Sequence, residues 1–559
     1  MLLAVSCLPG IAGKSIKAAA QEQADTDTEP CVEIPLPEDP YLLDPIRDRN
    51  LLNQAEGLII NRINIYSLDV FNEADPRENN LIYRTLNIVH IDTNAYVIRH
   101  QLLFHEGEPL DIRVVYETER VLRSMPYLAE AVIVPETICG DTVNIAVITR
   151  DSWTLQPSAN AGLEGGEKSS GAGISETNLL GTGNSVSLNY SKNGDKSRLA
   201  YSLISPHIMG SRWQSNILYA PTSDGLEQGV SLARPFYSLD AKWSAGFDYN
   251  RIKEIMGIKE ENQTINEYKA DRSSYQIYAG FSGGLKDTFT NHWIFSLNQE
   301  AEQIDETINT AGDIPENSTI NFPAIAFSRT EDRYTIFRNL NQIFRTEDIF
   351  LGQEIFLKLG YGRGDQKAEQ TFIHISGRYT DAISIGDHHL ARIDSGLKGR
   401  WMDHTGEFKK TIFSNRLSYN HLSSERHRWY FGLSYDIGLG LSDAEFLTFE
   451  KENLLRGYPF EYQQGNRRFI AAVERRYFSE LHLFNLIRAG GVVFVDAGKA
   501  WESGHSNEAN MLADFGLGLR IAFSKSSGKS VLHIDIARPL VDRDRVDSYQ
   551  LTFKGYTYF

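Results

Sequence analysis

The sequence predicts an all-β barrel that spans a membrane, preceded by a small α+β domain. Three observations predict it. Alternation of apolar and polar residues, broken by turn signals, recurs from Trp153 to the end of the chain. Helical periodicity is confined to the segment before it. No run approaches the roughly 18 uninterrupted apolar residues that a membrane-spanning helix needs. Apolar residues make up 41% and charged residues 23%, with a mean hydropathy of −0.33, values that exclude a helical membrane protein. They fit a barrel, whose strands alternate lipid-facing and lumen-facing side chains and so average polar. Aromatic residues at 11%, with 26 Tyr and 28 Phe, favour the same class. The net charge of −17 argues against nucleic-acid binding, which leaves a basic footprint.

In chain order, residues 1–20 read as a signal peptide. MLLAVSCLPGIAG supplies an apolar core, and small residues before Gln21 suit cleavage after Ala20. The core lacks a preceding basic residue, which a truncated or mis-assigned start would explain; a poorly ordered tail is the alternative. Cys7 would leave with the signal. Cys31 and Cys139 would then remain where disulfides persist. A bridge between them and two unpaired thiols are both open, because spacing does not show whether they approach each other. Residues 21–56, rich in Asp, Glu and Pro, read as a periplasmic linker.

Residues 57–152 form the first domain. INRINIYSLDVF reads as a strand, and TNAYVIRHQLLF as a helix capped by Thr93 or Asn94. HEGEPLD is a turn. IRVVYETERVLRSMPYL is a second helix with Val114, Val115, Val121 and Leu122 on or near one face and charges opposite. Two strands, AEAVIVPE and DTVNIAVITRDSW, follow. This order, with a Gly-containing turn between the helices, resembles a single POTRA domain. An insertion from Asn72 to about Asp92 departs from that pattern.

Residues 153–559 form the barrel. SVSLNY, KWSAGFDYN, WYFGLSYD and ADFGLGLRIAF each alternate with period two. In the last, Ala513, Phe515, Leu517, Leu519, Ile521 and Phe523 oppose Asp514, Gly516, Gly518, Arg520 and Ala522. A soluble sandwich would show such runs singly rather than over this length. Sixteen strands are expected, with up to twenty open, because the stretch from Asp271 to Gly438 offers more candidates than sixteen allow.

ENLLRGYPFEYQQGNRRFIAAVERRYF, 452–478, and GGVVFVDAGKAW, 490–501, together resemble the signature of the BamA/TamA superfamily of outer-membrane assembly barrels (the bacterial surface antigen family). The resemblance implies that the loop residues Arg456, Gly457 and Tyr458 fold back into the lumen and are held by Glu474 and Asp496. Residue chemistry points the same way. Alternation sends Val473, Val493 and Val495 outward and Glu474 and Asp496 inward. Two convergent carboxylates suit the planar donor fork of an arginine. Gly457 would supply a positive φ. The alternative is three separate solvated charges in a wet lumen.

ISETNLLGTGNSVSLNYSKN resembles the second and third strands of those barrels, with Gly181 and Gly183 in a tight hairpin turn. The ending YQLTFKGYTYF resembles their C-terminal insertion signal, carried by Tyr549, Leu551, Phe553 and Phe559. Pro157 in the first strand donates no ladder hydrogen bond. It suggests a short seam with the last strand, unless it lies just before the strand.

The function implied by the resemblance is assembly or insertion of outer-membrane proteins. The POTRA domain would receive unfolded clients by strand addition in the periplasm, and the barrel seam would template insertion. Outer-membrane lipids, periplasmic chaperones and lipoproteins are the further partners it implies, and the bacterial outer membrane the location. The alternative is a two-partner-type secretion pore for a dedicated passenger; those relatives usually carry two POTRA domains and a plug helix. Nothing in the sequence points to catalysis or a cofactor: there is no G-x-S-x-G elbow, H-E-x-x-H or P-loop, and the 14 His and three Cys do not fall at metal-ligand spacing.

Overall fold

The computed structural model describes residues 31–35, 41 and 52–557, apart from 165–166, 194–195, 261–262, 366–370, 387, 442–445, 450–454, 460–461, 507–508 and 528–529. The signal-peptide reading of residues 1–20 and the insertion-signal reading of Phe559 lie outside the described residues.

The first domain is a four-stranded sheet with two of its three helices packed on one face. Its strands are β1 (Val32–Glu33), β2 (Ile59–Leu68), β3 (Leu128–Cys139) and β4 (Thr142–Asp151), in the order β1-β3-β4-β2. Strand β2 runs parallel to β4, and β3 is antiparallel to it. The helices are α1 (Leu81–Val89), α2 (Ala95–Gln101) and α3 (Ile112–Ser124). Asp111 caps α3 by accepting from the backbone N–H of Arg113 and Val114. The core gathers Ile60, Ile63, Val97, Val115, Leu122 and Ile145, all buried.

One reading of this region is corrected and two are completed. Residues 21–56 are not linker throughout: Val32–Glu33 pairs with β3, and Leu52 and Ala55 lie in the domain core. The insertion at 72–92 contains helix α1. On the charged side of α3, Glu117, Glu119 and Arg123 are buried. They point at neighbouring protein, as described below.

The second unit is a closed antiparallel barrel of twenty strands, the upper end of the range rather than the expected sixteen. The seven strands that lie entirely between Asp271 and Gly438, or run one residue past it, have 11 to 18 residues each. Each is therefore long enough to cross a bilayer, which takes about 9–11 residues. Two five-residue runs in the same region, Tyr334–Arg338 and Thr346–Phe350, are not, and they pair only with each other.

The first barrel strand, β5 (Leu155–Glu164), follows directly from the domain, so strand direction fixes the geometry. Turns after the second, fourth and every later even strand lie at the end facing the domain, the near end. Loops after odd strands lie at the far end. Pro157 falls inside β5, opposite Ile174 of β6 (Glu167–Glu176), and not before the strand. The closing strand Gln550–Thr557 completes the ring beside β5. On the outer face, alternate residues such as Val493, Val495, Phe515, Leu517, Leu519, Tyr549, Leu551 and Phe553 are exposed. An apolar surface this extensive is stable only against lipid.

Cys31 and Cys139 form a disulfide across 108 positions of sequence, fastening β1 to the edge of β3. Closing so long a loop restricts the unfolded chain strongly. Replacing both cysteines by serine should lower the domain's stability by about 2–4 kcal/mol. Urea titration of the whole protein, read by protease cleavage within residues 52–151, would check it; an unchanged midpoint would contradict it.

Candidate functional site

Among the described residues of the far-end loop that precedes Arg467–Leu483, 455–459 lie in the lumen and include Arg456. Its guanidinium donates from Nε and Nη2 to the two carboxylate oxygens of Asp496, at 2.8 and 2.9 Å. Nη1 lies 2.9 Å from Glu474 and 3.9 Å from Asp535, and the Phe494 ring lies 3.4 Å from the guanidinium carbon. The carboxylates come from three strands, two of them adjacent and the third beyond one intervening strand. Asp496 and Phe494 lie on Ile487–Trp501, with Glu474 on Arg467–Leu483 and Asp535 on Ser530–Pro539. The bidentate pair uses the planar fork as a lysine could not. Asp496 is fully buried and Glu474 nearly so, so the three charges are not separate solvated ions.

Gly457 differs from expectation in its reason for being glycine. Its φ lies outside the left-handed region. Instead the chain passes so close to the strand Leu512–Phe523 that a Cβ would sit 2.4 Å from Cβ of Asp514. The Gly457 N–H donates to Asp514 at 3.0 Å. Tyr458 donates to the Ala513 carbonyl at 2.9 Å and accepts from the Val541 N–H at 3.2 Å. It is buried with Phe449, Leu455, Ile470, Ala500 and Leu512. Arg468, paired with Asp436 at 3.0 Å, holds the loop's other arm by donating to the Thr448 carbonyl.

Sequence reasoning missed five members of this cluster: Phe494, Arg476, Asp514, Arg520 and Asp535. Arg476 donates to Glu474 at 2.7 Å, and Arg520 to Asp535 at 2.6 Å. Each is a charged or aromatic residue at an inward position of an alternating run, which is the signal that could have found them.

A second group lies at the near end. The short hairpin Tyr334–Phe350, between the strands Ser318–Glu331 and Glu354–Gly364, turns into the lumen. Its tip residue Ile343 packs on Phe478, Ala522 and Val531 of the inner wall. Glu347 gathers the tip by accepting from the N–H groups of Leu340, Asn341 and Gln342 at 2.7, 3.1 and 3.3 Å. Arg476 reaches the Leu340 carbonyl at 3.4 Å. The hairpin's other side meets the domain. Arg123 forms a bidentate pair with Asp348, both bonds 2.8 Å, and Glu130 accepts from Thr346 at 2.7 Å. Arg120 lies 3.2 Å from Asp332 and over the Tyr334 ring. Contacts therefore run from α3 through the hairpin to Arg476, Glu474 and Arg456.

The domain also docks on other near-end turns. Gly181 and Gly183 have φ of +71° and +73° and sit in a short 3-10 turn rather than a tight two-residue hairpin. Asn94 donates through its backbone N–H to the Gly181 carbonyl at 3.0 Å and through its side chain to Leu180. The turn at Ile208–Gly210 repeats the geometry, with Gly210 against the His100 ring. His207 is held neutral, its pKa lowered by burial; it accepts from Gln101 at 3.2 Å and donates to the Thr182 carbonyl at 2.8 Å. Arg113 reaches Asp240 at 2.7 Å, and Glu117 accepts from the Leu239 N–H at 2.7 Å.

Among the described residues, one group offers metal-type ligands within 4.8 Å of one another: His90, Asp92 and Asp151. One oxygen of Asp151 already takes the Thr93 N–H at 2.7 Å, the Thr93 hydroxyl at 3.0 Å and His90 at 3.1 Å, so the group is built as a hydrogen-bonded junction.

No protein-family model matches the sequence, and no curated protein matches it. Among solved structures, the chain is similar to BamA from Haemophilus ducreyi lacking POTRA domains 1–3. That match has 13% identity and a TM-score of 0.38, covering 90% of this chain and 85% of that one. CdiB from Escherichia coli is similar at 14% identity and a TM-score of 0.46, covering 90% and 77%. CdiB from Acinetobacter baumannii gives 12% and 0.39, covering 90% and 74%.

Two outcomes follow from the geometry. Arg456→Ala leaves Asp496 buried without its cation and removes one of the two that face Glu474, at a cost of about 3–5 kcal/mol, and Arg456→Lys recovers only part; thermal unfolding of the purified barrel followed by heat-modifiable gel mobility measures both. A double-mutant cycle on Arg123 and Asp348 should show a coupling of about 1–3 kcal/mol between domain and hairpin. A coupling near zero would mean that the pair is incidental.

Proposed function

We propose that the protein assembles or inserts other proteins in the bacterial outer membrane, with its N-terminal domain in the periplasm and acting as a POTRA domain. The observation that carries this reading is the unbroken set of contacts from the domain, through the near-end hairpin, to the loop anchored by Arg456. A diffusion pore needs an open lumen, whereas this one is occupied from the far end by a loop ion-paired to the wall and from the near end by a hairpin packed on it and ion-paired to the domain. Such an arrangement suits a machine whose barrel state responds to what the domain holds.

Unfolded outer-membrane or secreted chains are the proposed clients, received by strand addition, in which backbone hydrogen bonds tolerate many sequences. The edge of β3 already accepts a strand in this way from residues 32–33 of the same chain. The seam between the closing strand and β5 would template insertion. At the near end it is underpinned by a clasp: the Ser527 N–H donates to the Trp153 carbonyl at 2.9 Å, and Gln156 to the Ser527 carbonyl at 2.6 Å. An opening seam would then part first toward the far end. Outer-membrane lipids and periplasmic chaperones or lipoproteins complete the proposed partners, and the role is not enzymatic.

Proteoliposomes carrying the protein should accelerate folding of a urea-denatured small outer-membrane barrel, scored by protease resistance. Arg456→Ala should reduce the acceleration. In planar bilayers the wild type should give small, fluctuating conductance that the same substitution alters while the barrel stays folded. Identical large, steady pores from both would overturn the plugged-lumen reading. Loss of client acceleration together with export of a co-encoded passenger would replace insertion by secretion.

A further inference from the structure

The insertion between β2 and α2 plays no part in the chain of contacts described above, yet it carries an unusual surface. Helix α1 begins at Asn80, whose side chain accepts from the Tyr83 N–H at 3.1 Å. Its inner face is fully engaged. Tyr83 stacks on Phe71 with ring centroids 4.6 Å apart, Leu86 packs in the same cluster with Trp153 and Leu486, and Asn87 donates to the Phe71 carbonyl at 2.9 Å. The opposite face is apolar and bare: Leu81 is 82% exposed, Ile82 69%, Ile88 82% and Val89 66%. Their spacing of one, seven and eight positions places all four on one side of the helix. Ile91, 51% exposed, extends the patch beyond the helix end. Four large aliphatic side chains together on one short helix are not the scattered exposure expected of a surface in water.

The position of the helix says what covers that face. The Tyr83 hydroxyl donates to the carbonyl of Phe484, in the near-end turn between the strands Arg467–Leu483 and Ile487–Trp501. Just before α1, Glu78 pairs with Lys525 at 3.0 Å and accepts from Asn485 at 3.3 Å. The helix is therefore pinned to the barrel rim. The rim at that point is itself apolar and exposed, with Leu481, Leu483 and Phe484 continuing the outward row of Val473 and Tyr477 toward the near end. The bare face of α1 is thus carried by a helix fastened at the rim where the lipid-facing surface ends.

We propose that α1 is an interfacial helix. Its apolar face lies in the headgroup and acyl-chain boundary of the bilayer, beside the turn 484–486, and tethers the N-terminal domain to the membrane surface. A short amphipathic helix with a concentrated apolar face has this property. The anchor would fix the domain over the near-end mouth by a contact separate from its ion pairs to the turns. It rests on the barrel's spanning a bilayer and not on the client chemistry, so it stands or falls independently of the assembly reading.

The test uses the full-length protein in phosphatidylcholine nanodiscs, both faces open to solvent, in a Cys7→Ser background with the native disulfide intact. An environment-sensitive fluorophore is attached at Ile88→Cys. Leu483→Cys on the rim serves as the lipid-facing reference and Glu108→Cys on the domain as the aqueous one. The Ile88 label should lose fluorescence to lipids spin-labelled near the headgroup as the Leu483 label does, and should resist aqueous iodide. Quenching by iodide like the Glu108 label, with no response to spin-labelled lipid, would overturn the proposal. Shielding from both quenchers would overturn it too, since the face would then be covered by protein. Ile88 is a surface position, so the variant leaves the fold intact; unchanged heat-modifiable mobility verifies this.

Discussion

Arg456 lies in the lumen with about a tenth of its side chain exposed, enclosed by Asp496, Glu474, Asp535 and the face of Phe494. A buried cation is tolerated only when its lost hydration is replaced by matched partners. That requirement fixes much around it. The carboxylates must arrive from three strands at one depth, which constrains the registers between them. Asp496 and Asp514 stand directly opposite each other, and each takes a different part of the loop: the guanidinium and the Gly457 N–H respectively. The loop cannot shift by one residue without taking from the buried Asp496 and Asp514 the donors it brings them, so its path is determined by charge as much as by packing.

The near-end hairpin answers a second constraint. A wide barrel leaves space that its own wall cannot fill, and the hairpin occupies part of it with Ile343 while presenting Asp348 to the domain. Arg123 is buried because it lies between Asp348, Glu119 and the Ala131 carbonyl. The same physical rule, that a buried guanidinium demands convergent acceptors, therefore operates at both ends of the lumen. Arg476, which touches Glu474 and the Leu340 carbonyl, joins the two. Docking of the domain on the glycine turns at 181 and 210 adds shape to charge, since a Cβ at Gly181 would meet the Asp92 carbonyl and one at Gly210 the His100 ring.

Much of this was legible in the chain because barrel strands obey a strict period. Inward placement of Glu474 and Asp496 and outward placement of Val493 and Val495 follow from alternation alone. The domain's strands β2, β3 and β4 and its helices α2 and α3 follow from their patterns, whereas β1 reads as linker. Helix α1 was not legible. Its nine residues make only about two and a half turns, too short a run to establish a period, and the segment reads as an insertion in the domain. The burial of Glu117, Glu119 and Arg123 on α3 was not legible either, since the barrel segments that meet this face are distant in sequence.

The sequence by itself determined the class of architecture, the two-part organisation and which residues of each strand face inward, because these depend on local periodicity and on the length a bilayer demands. Tertiary structure decided the number of strands, since closure of the ring is a property of all of them together. It decided that Gly457 is needed for a close approach and not for its φ, because the neighbour that requires it, Asp514, lies 57 positions away. It also decided that two short runs near residue 340 leave the wall and enter the lumen. Their acceptors and packing partners come from distant strands and from the domain, and no local pattern encodes a contact of that range.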